Sequence, residues 1–447
     1  MVIRRALLLL LVAFTLVAGA WLLPGRSASV PRNVILISID TLRADHLGVY
    51  GYERDTSPKL DAFARRSTLF RRAVTQGEST SPGHGAMLTG RYYSSYNRSK
   101  LPNGPPPWVD TLAEMLRSHG FATWGFVDGG RMVRAFGWDQ GFDQYEDKRV
   151  KIKAILEKVN ARLDTQDAER FFLFVHCYDV HTPYNAPDPF GSMFVDPAYR
   201  GTFRPNAANF DSVEQRQLPF SGEDLRYSVA RYDGGIRHTD HHVGLLLERL
   251  RKDGLLDSSV VVITADHGEE FLEHGGFMHR KLYFYPNLHV PLIIHAPGRP
   301  PRVVDDVVEL IDIVPTVLDL LGLPAQTGVM GRSLVPLIDG SGSDGGERIA
   351  FAESSMPSIG WRTVVSQRYQ LLHDIWTGEQ ELYDLDSDPQ QKTNIAASEP
   401  EKVAELLGVL QQRLADNEKR NTGPPSEAPV LDAKTRRQLR ALGYVDE

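Results

Sequence analysis

Five short stretches of this sequence carry side chains able to do chemistry. Asp40 closes the apolar run Val34-Ile35-Leu36-Ile37-Ser38-Ile39. A carboxylate in that place is either a ligand for a hard cation or the cap of a following helix. Asp266-His267-Gly268-Glu269-Glu270 follows a second such run, and its adjacent carboxylate and imidazole can reach one ion. Ser79-Thr80-Ser81-Pro82-Gly83-His84 opens a short apolar helical stretch. The free N–H groups and positive dipole of a helix start suit a tetrahedral anion, and a hydroxyl there can be a nucleophile; a plain capped helix has the same look. In His176-Cys177-Tyr178-Asp179-Val180-His181, two histidines past a strand can hold a metal or donate to an oxyanion. His274, His279 and Lys281 form the fifth group. Taken singly, each histidine reads as an ordinary surface or structural residue.

Such residues need a frame. Apolar runs recur at Ala122 to Val127, Phe171 to Val175, Val260 to Thr264 and Pro291 to His295. Helical patterns lie between them at Val109 to His119, Val150 to Leu163 and Leu225 to Leu250. Strands alternating with helices predict an α/β domain on a mostly parallel sheet. Ligands in such sheets bind beyond the carboxyl ends of strands, where Asp40, His176 and Asp266 all fall. Pro187 to Glu223, rich in Pro, Gly, Asn and Asp, reads as a long excursion beside the site. From Ile349 the pattern changes to short strands at Arg362 to Leu372 and Glu381 to Leu385, with a turn at Trp376-Thr377-Gly378. A helix follows with Val403, Leu406, Leu407, Leu410 and Leu414 on one stripe, which predicts a small α+β appendage.

Composition removes several classes. At 447 residues, 42% hydrophobic and 24% charged, the chain is not disordered. A net charge of −7 argues against a nucleic-acid partner. The single cysteine, Cys177, excludes an intrachain disulfide and reads as a small buried residue. His238, His241 and His242, at helical spacing in an Asp-rich segment, read as a solvated helix face. Asn97-Arg98-Ser99 is a glycosylation sequon, meaningful only in a host that glycosylates. Arg4 and Arg5 precede an apolar run from Ala6 to Leu23 that contains Ala18-Gly19-Ala20. This predicts residues 1–25 as a cleaved signal peptide or a retained single-span anchor in the inner membrane, with the rest working on the periplasmic or extracellular face.

In order along the chain, these motifs resemble the sulfatase family of the alkaline phosphatase superfamily. The matching stretches are Asn33 to Gly51 (NVILISIDTLRADHLGVYG), Thr56 to Asp61, Thr80 to Arg91, His176 to Tyr184, Thr264 to Gly275 and His289 to Ile293, with Glu381 to Pro389 (ELYDLDSDP) and Asn394 later. The resemblance implies an alkaline-phosphatase-like sandwich over residues 30–345, its mostly parallel sheet flanked by helices, and a small C-terminal α+β subdomain over residues 346–447. It implies that Asp40, Asp266 and His267 bind one divalent metal ion. It places Thr80, two residues before Pro82, in the nucleophile register between Ser79 and Ser81. His181 and His279 match groups that bind the transferred anion or protonate the leaving group, and His84, His176 and Lys281 are read as substrate-binding. The implied partner is an anionic ester; no protein partner is implied.

The departures from the family pattern matter as much. Sulfatases carry Cys or Ser at the nucleophile position, converted to formylglycine, within Cys/Ser-x-Pro-x-Arg. Here the pattern is Thr80-Ser81-Pro82-Gly83-His84, and threonine is not a substrate for that conversion. Thr41 replaces the second Asp of the usual pair, and His267 replaces the usual Asn. Fewer carboxylates and an imidazole favour Zn²⁺ or Mn²⁺ over Ca²⁺ or Mg²⁺. The Asp/Thr/Asp/His set is similar to the threonine-nucleophile branches: phosphodiesterases, and the phosphoethanolamine and phosphoglycerol transferases of bacterial envelopes. The expectation is an exported, metal-dependent hydrolase of sulfate or, given Thr80, phosphate or phosphonate esters. An envelope transferase and a catalytically idle binding protein are the alternatives.

Overall fold

The run Asn33–Ile39 lacks the polar alternation of a one-sided strand, and it forms β1, buried along its whole length inside an eight-stranded sheet. The structure, a computed structural model, describes residues 30–96, 104–279, 283–342, 346–356, 358–424, 431–433 and 435–437. The expected leader at 1–25, the sequon at Asn97 and Lys281 lie outside the described residues.

The remaining strands of the large sheet are β2 (Thr68–Val74), β3 (Ala122–Val127), β4 (Gln144–Glu146), β5 (Phe171–Cys177), β6 (Ser259–Thr264), β9 (His289–His295) and β10 (Arg302–Glu309). A separate small hairpin is made by β7 (Glu270–Phe271) and β8 (Phe277–Met278). The large sheet runs β10-β2-β9-β6-β1-β5-β3-β4, parallel throughout except where β9 pairs antiparallel with β2 and β6. That reversal leaves no mark in the sequence, because a fully buried strand reads the same in either direction. Register then sets the site. Ser38 lies opposite His176 of β5 and Thr264 of β6, so Asp40, Tyr178 and Asp266 leave the sheet two residues later at one level.

Two helices bear on that edge. Thr80–Thr89 starts from extended Ser79, is buried in all ten residues, and stops at left-handed Gly90, whose N–H caps Ala86 O. Gly222–Lys252 opens with a reciprocal cap between Ser221 and Asp224 and runs 31 residues, about 46 Å. Its His238 is buried and faces Asp179 at 3.3 Å, which corrects the reading of a solvated face; His241 and His242 are half-buried. The buried face of this helix holds Tyr, Asp, Gly and His, so its composition reads as polar. The excursion after Pro187 is turns plus one short helix, Ala207–Glu214, and Phe210 stacks on Phe277 at 4.5 Å.

The C-terminal part is an antiparallel meander of β11 (Ala350–Glu353), β12 (Trp361–Val365), β13 (Tyr369–Asp374) and β14 (Gln380–Asp384). The helix Pro400–Arg420 packs on it through Val403, Leu406 and Leu410. The strand expected over Arg362 to Leu372 is two strands; the chain reverses at Ser366-Gln367-Arg368, where Ser366 N–H meets Tyr369 O at 2.8 Å. Those residues carry no Gly, Pro or Asn to announce a turn. Three consecutive residues leaving β11 grip the segment before Thr80. Glu353 N–H donates to Gln76 O at 3.0 Å, Ser354 Oγ to Glu78 Oε1 at 3.0 Å, and the Ser355 and Ser79 hydroxyls meet at 3.0 Å. Among the described residues no helix is long and apolar enough to cross a membrane.

Candidate active site

Asp40 is positioned by an unusual backbone. Thr41 is left-handed (φ 57°), uncommon for a β-branched residue. Its hydroxyl donates to Asp40 O at 2.7 Å and its carbonyl accepts Tyr232 Oη at 2.7 Å, while its N–H reaches Asp266 Oδ1 at 3.3 Å. The side chain that replaces a second Asp is therefore bonded to its own backbone. Asp266 Oδ1 also accepts the His267 N–H at 3.0 Å. His267 Nδ1 donates to Gly268 O at 2.9 Å, which leaves the lone pair on Nε2. Nε2 stands 3.5 Å from Asp266 Oδ2 and 4.0 Å from Asp40 Oδ1.

Those three atoms, Asp40 Oδ1, Asp266 Oδ2 and His267 Nε2, are each buried without a hydrogen-bond partner. Ligand atoms of the three residues lie within 4.8 Å of one another. Buried acceptors left unpaired are costly, and three of them facing each other suit a divalent cation. The same repulsion shows in the acidities. Burial, then Asp266, pushes Asp40 well above the carboxylate range. Burial opposes ionisation of Asp266 too, yet His267, His84 and His176 hold it below that range.

The histidines close a circuit around this pair. His84 Nδ1 donates to Thr80 O at 2.9 Å and stands 3.4 Å from Asp266 Oδ2; its Nε2 takes the Ser38 hydroxyl at 3.0 Å. Both His84 ring nitrogens are thus engaged by the protein, beneath the Thr80–Thr89 helix. His84 and His176 rings are 4.7 Å apart, and His176 Nε2 is 3.3 Å from Asp40 Oδ2. His176 then meets Tyr178 at 4.7 Å, Tyr178 meets His181 at 5.4 Å, His181 meets His279 at 5.1 Å, and His279 meets His267 at 4.4 Å. Burial, then His84, holds the His176 pKa well below the usual imidazole value; burial, then His279, does the same to His181. His181 Nδ1 donates to Thr182 O at 2.6 Å.

Thr80 opens its helix from one side of this circuit. The Ser79 hydroxyl turns to Ser355. Gly83 presses the first helical turn onto Asp266, where a Cβ would lie 2.2 Å from the Asp266 carbonyl oxygen.

Two residues without a role in the sequence reading complete the site. Glu269 is buried; its Oε1 takes His279 Nδ1 at 3.0 Å and its Oε2 takes the Tyr184 hydroxyl at 2.9 Å. Its place two residues past His267 is the one signal that could have found it. Arg149 lies over the Tyr178 ring, 5.0 Å from the centroid, and bonds Asp128 Oδ2 at 3.1 Å. His274 belongs elsewhere: it stacks on Phe284 at 3.7 Å and bonds Gln390 O at 2.9 Å, tying the hairpin to the C-terminal part. Cys177 is buried at the end of β5, and burial raises its thiol well above the usual value.

Comparisons with known proteins bear on this arrangement. The family model "Sulfatase" matches residues 32–323, and "N-sulphoglucosamine sulphohydrolase, C-terminal" matches residues 272–420. The chain is similar to an arylsulfatase of Clostridium perfringens, 25% identical over 86% of this chain and 95% of that protein. It is similar to the N-sulphoglucosamine sulphohydrolase of Homo sapiens, 26% identical over 92% and 95%. Among solved structures, the phosphonate monoester hydrolase of Agrobacterium radiobacter superposes with a TM-score of 0.69 at 22% identity, over 87% of this chain and 96% of that one. With the first family model spanning well over half its length, the chain belongs to the sulfatase family of hydrolases.

Proposed function

We propose that the protein hydrolyses phosphate or phosphonate esters in preference to sulfate esters, with Thr80 as nucleophile. The observation that carries this is the setting of Thr80. It stands first in a buried helix that is packed on Asp266, in the register where family members hold a formylglycine precursor. The hydroxyl has no route to an aldehyde hydrate, so it has to attack as an alcohol and leave by hydrolysis of its own ester. Asp40, Asp266 and His267 are the residues that would hold a divalent metal, with two carboxylate oxygens and one imidazole favouring Zn²⁺ or Mn²⁺. When bound, that metal supplies charge to lower the pKa of the Thr80 hydroxyl and to neutralise the ester.

The chain's own groups do the rest. The oxygen of Thr80, its proton given up to solvent, forms a bond to phosphorus as the ester oxygen departs with its electron pair. His279 is placed to give that oxygen a proton, because Glu269 on Nδ1 fixes the ring. His181, neutral by burial and with its Nδ1–H held by Thr182 O, presents the Nε2 lone pair and donates to the anion only once protonated. His279, now neutral, takes a proton from the water that attacks phosphorus, and the bond from phosphorus to the Thr80 oxygen breaks as the phosphate or phosphonate leaves. The likeness to both a sulphohydrolase and a phosphonate monoester hydrolase supports an anionic ester as substrate. Export rests on Arg4, Arg5 and the Ala6 to Leu23 run.

The test is a rate panel of aryl sulfate, phosphate monoester, phosphate diester and phosphonate ester with defined metals, together with acid trapping of the intermediate. Phosphoesterase rates above the sulfatase rate, and label on Thr80, are the expected result. Aryl sulfate as the best substrate, or normal turnover by Thr80→Ala, would overturn it.

A further inference from the structure

The chain carries a net charge of −7, yet Lys148-Arg149-Val150-Lys151-Ile152-Lys153 holds four cations in six residues with no acid among them. The fold fixes this run at the carboxyl edge of the sheet. Asp128, the residue after β3, takes the Val150 N–H on Oδ1 at 2.7 Å and Arg149 Nη1 on Oδ2 at 3.1 Å. Asp179, two residues past β5, takes the Ile152 N–H on Oδ2 at 2.8 Å. Both carboxylates are buried, as is Ile152, while Lys151 between the two held amides is exposed. Arg149 and Lys151 both rest on the segment that carries His181. The Arg149 guanidinium lies 5.0 Å from the centroid of the Tyr178 ring, which meets His181 at 5.4 Å. Lys151 Nζ reaches Asn185 Oδ1 at 3.3 Å. Asn185 follows Tyr184, whose hydroxyl bonds Glu269, the partner of His279. Among the described residues Arg149 is the one cation of the four with an ion pair. Its Nε and Nη2 make no hydrogen bond among those residues, and 27% of that side chain is exposed. A basic stretch that only solvates the surface needs no such fixing. Here two buried carboxylates give it a set shape and leave it an excess of positive charge.

We propose that Arg149 and Lys151 form a second anion subsite, which binds an oxyanion group carried on the leaving alcohol of the ester. This deepens the reading of the protein as an anionic-ester hydrolase and rests on it. Arg149 comes one ring beyond His181 in the chain of contacts, so it meets what projects from the transferred group rather than that group itself. Its Nε and Nη2 are two parallel donors, the fork that takes two oxygens of one oxyanion. Lys151 adds a point charge two residues along. An uncharged alcohol uses neither. The preferred ester therefore carries at least two negative charges, one on the group transferred and one on the alcohol released. The second charge contributes binding and orientation and takes no part in breaking the bond.

The probe is a pair of esters, phenyl and 3-carboxyphenyl, made on whichever transferred group the rate panel favours; the two phenols differ little in acidity. Sulfate as the favoured group would overturn the phosphoester reading and leave this test standing, because the pair is then made as sulfates. Wild-type kcat/KM should favour the carboxylated ester on the order of 10-fold, the worth of one hydrogen bond to a charged group, with the difference in KM. The preference should shrink as salt rises from about 0.05 to 0.5 M. Arg149→Gln and Lys151→Gln should each reduce it severalfold, and Lys151→Glu should turn it against the carboxylated ester. Each preference is a ratio within one protein, so a general loss of rate cancels. Lys151 is exposed and its side chain bonds only Asn185, so its variants carry the test even where Arg149→Gln fails to fold. Equal kcat/KM for the two esters in wild type would overturn the proposal. So would a preference that Lys151→Glu leaves at its wild-type size.

Discussion

Gly83 offers the sharpest test of how this site is assembled. It stands in the first turn of the helix that Thr80 opens, against the backbone of Asp266. A Cβ at Gly83 would meet the Asp266 carbonyl oxygen at 2.2 Å and its carbon at 2.8 Å, where real Cβ contacts stop at 3.0 Å. Neither partner is a flexible side-chain tip, so Gly83→Ala has to part the helix and Asp266 by about 1 Å. The helix itself gains, since Ala is favoured over Gly by roughly 0.8–1 kcal/mol in a helix. That gain offsets part of the strain, and Tm should move by only a few degrees, roughly 2–4 °C per kcal/mol for smaller domains than this one. Rate is another matter: a misplacement of about 1 Å at reacting groups costs on the order of 10²-fold. The assay is kcat/KM on the best ester of the panel, with metal affinity and thermal melts alongside. Gly85→Ala is the control in the same helix; its Cβ meets the Tyr96 hydroxyl at 2.2 Å, a side chain away from the metal carboxylates. It should cost stability and spare kcat/KM. Wild-type kcat/KM and metal affinity in Gly83→Ala would refute the idea that this contact sets the spacing of nucleophile and carboxylate.

Three further outcomes follow from the geometry. His267→Ala should lower the metal content of purified protein measured by elemental analysis; unchanged stoichiometry and affinity would reduce His267 to a loop residue. Glu269→Gln should slow turnover on the order of 10²-fold, and more for poor leaving groups than for good ones, because it orients the proton donor His279; an equal loss across leaving groups would count against that role. Burial, with Asp179 adding to it and Arg149 opposing it, pushes the Asp128 carboxyl up to about 7. The folded chain then binds that proton more tightly than the unfolded chain does, so this group's contribution to stability falls as pH rises from about 4 to 7. Relative to wild type, Asp128→Asn should gain stability between pH 5 and pH 8, by at most about 4 kcal/mol, and parallel stability–pH curves would contradict the assignment.

Much of this architecture was legible because chemistry and strand ends coincide. Asp40 and Asp266 each sit just past an apolar run and parallel register carries them to one level, while His176 lies inside β5 two residues lower, opposite Ser38. Other features depend on paths that residue types do not encode. Tyr178 and Glu269 lie inside motifs already singled out, yet their importance comes from what faces them: Arg131 and Arg149 for one, His279 and Tyr184 for the other. Arg149 arrives from a connecting segment with no motif at all. His238 misleads because a long helix buries polar side chains against polar partners such as Asp179. The reversal at Ser366-Gln367-Arg368 uses residues that fit a strand as well as a turn, so only the pairing of β12 with β13 reveals it.

The grip of Glu353, Ser354 and Ser355 on Gln76, Glu78 and Ser79 has a consequence in time. Every candidate metal ligand and every histidine of the circuit precedes Ala350 in the chain, so a growing polypeptide carries them all before β11 exists. At that stage the segment before Thr80 has only its ties to residues that precede β11, among them Thr75 on Leu288 O and Asp266 O, and Gln76 on the Ile311 N–H. The grip from β11 is added once the chain has run on through Ser355 and the strands of its sheet, a few seconds later at roughly 5–20 residues per second. With Thr80 as the proposed nucleophile, the contacts that hold its neighbours Glu78 and Ser79 are therefore among the last of the site to form.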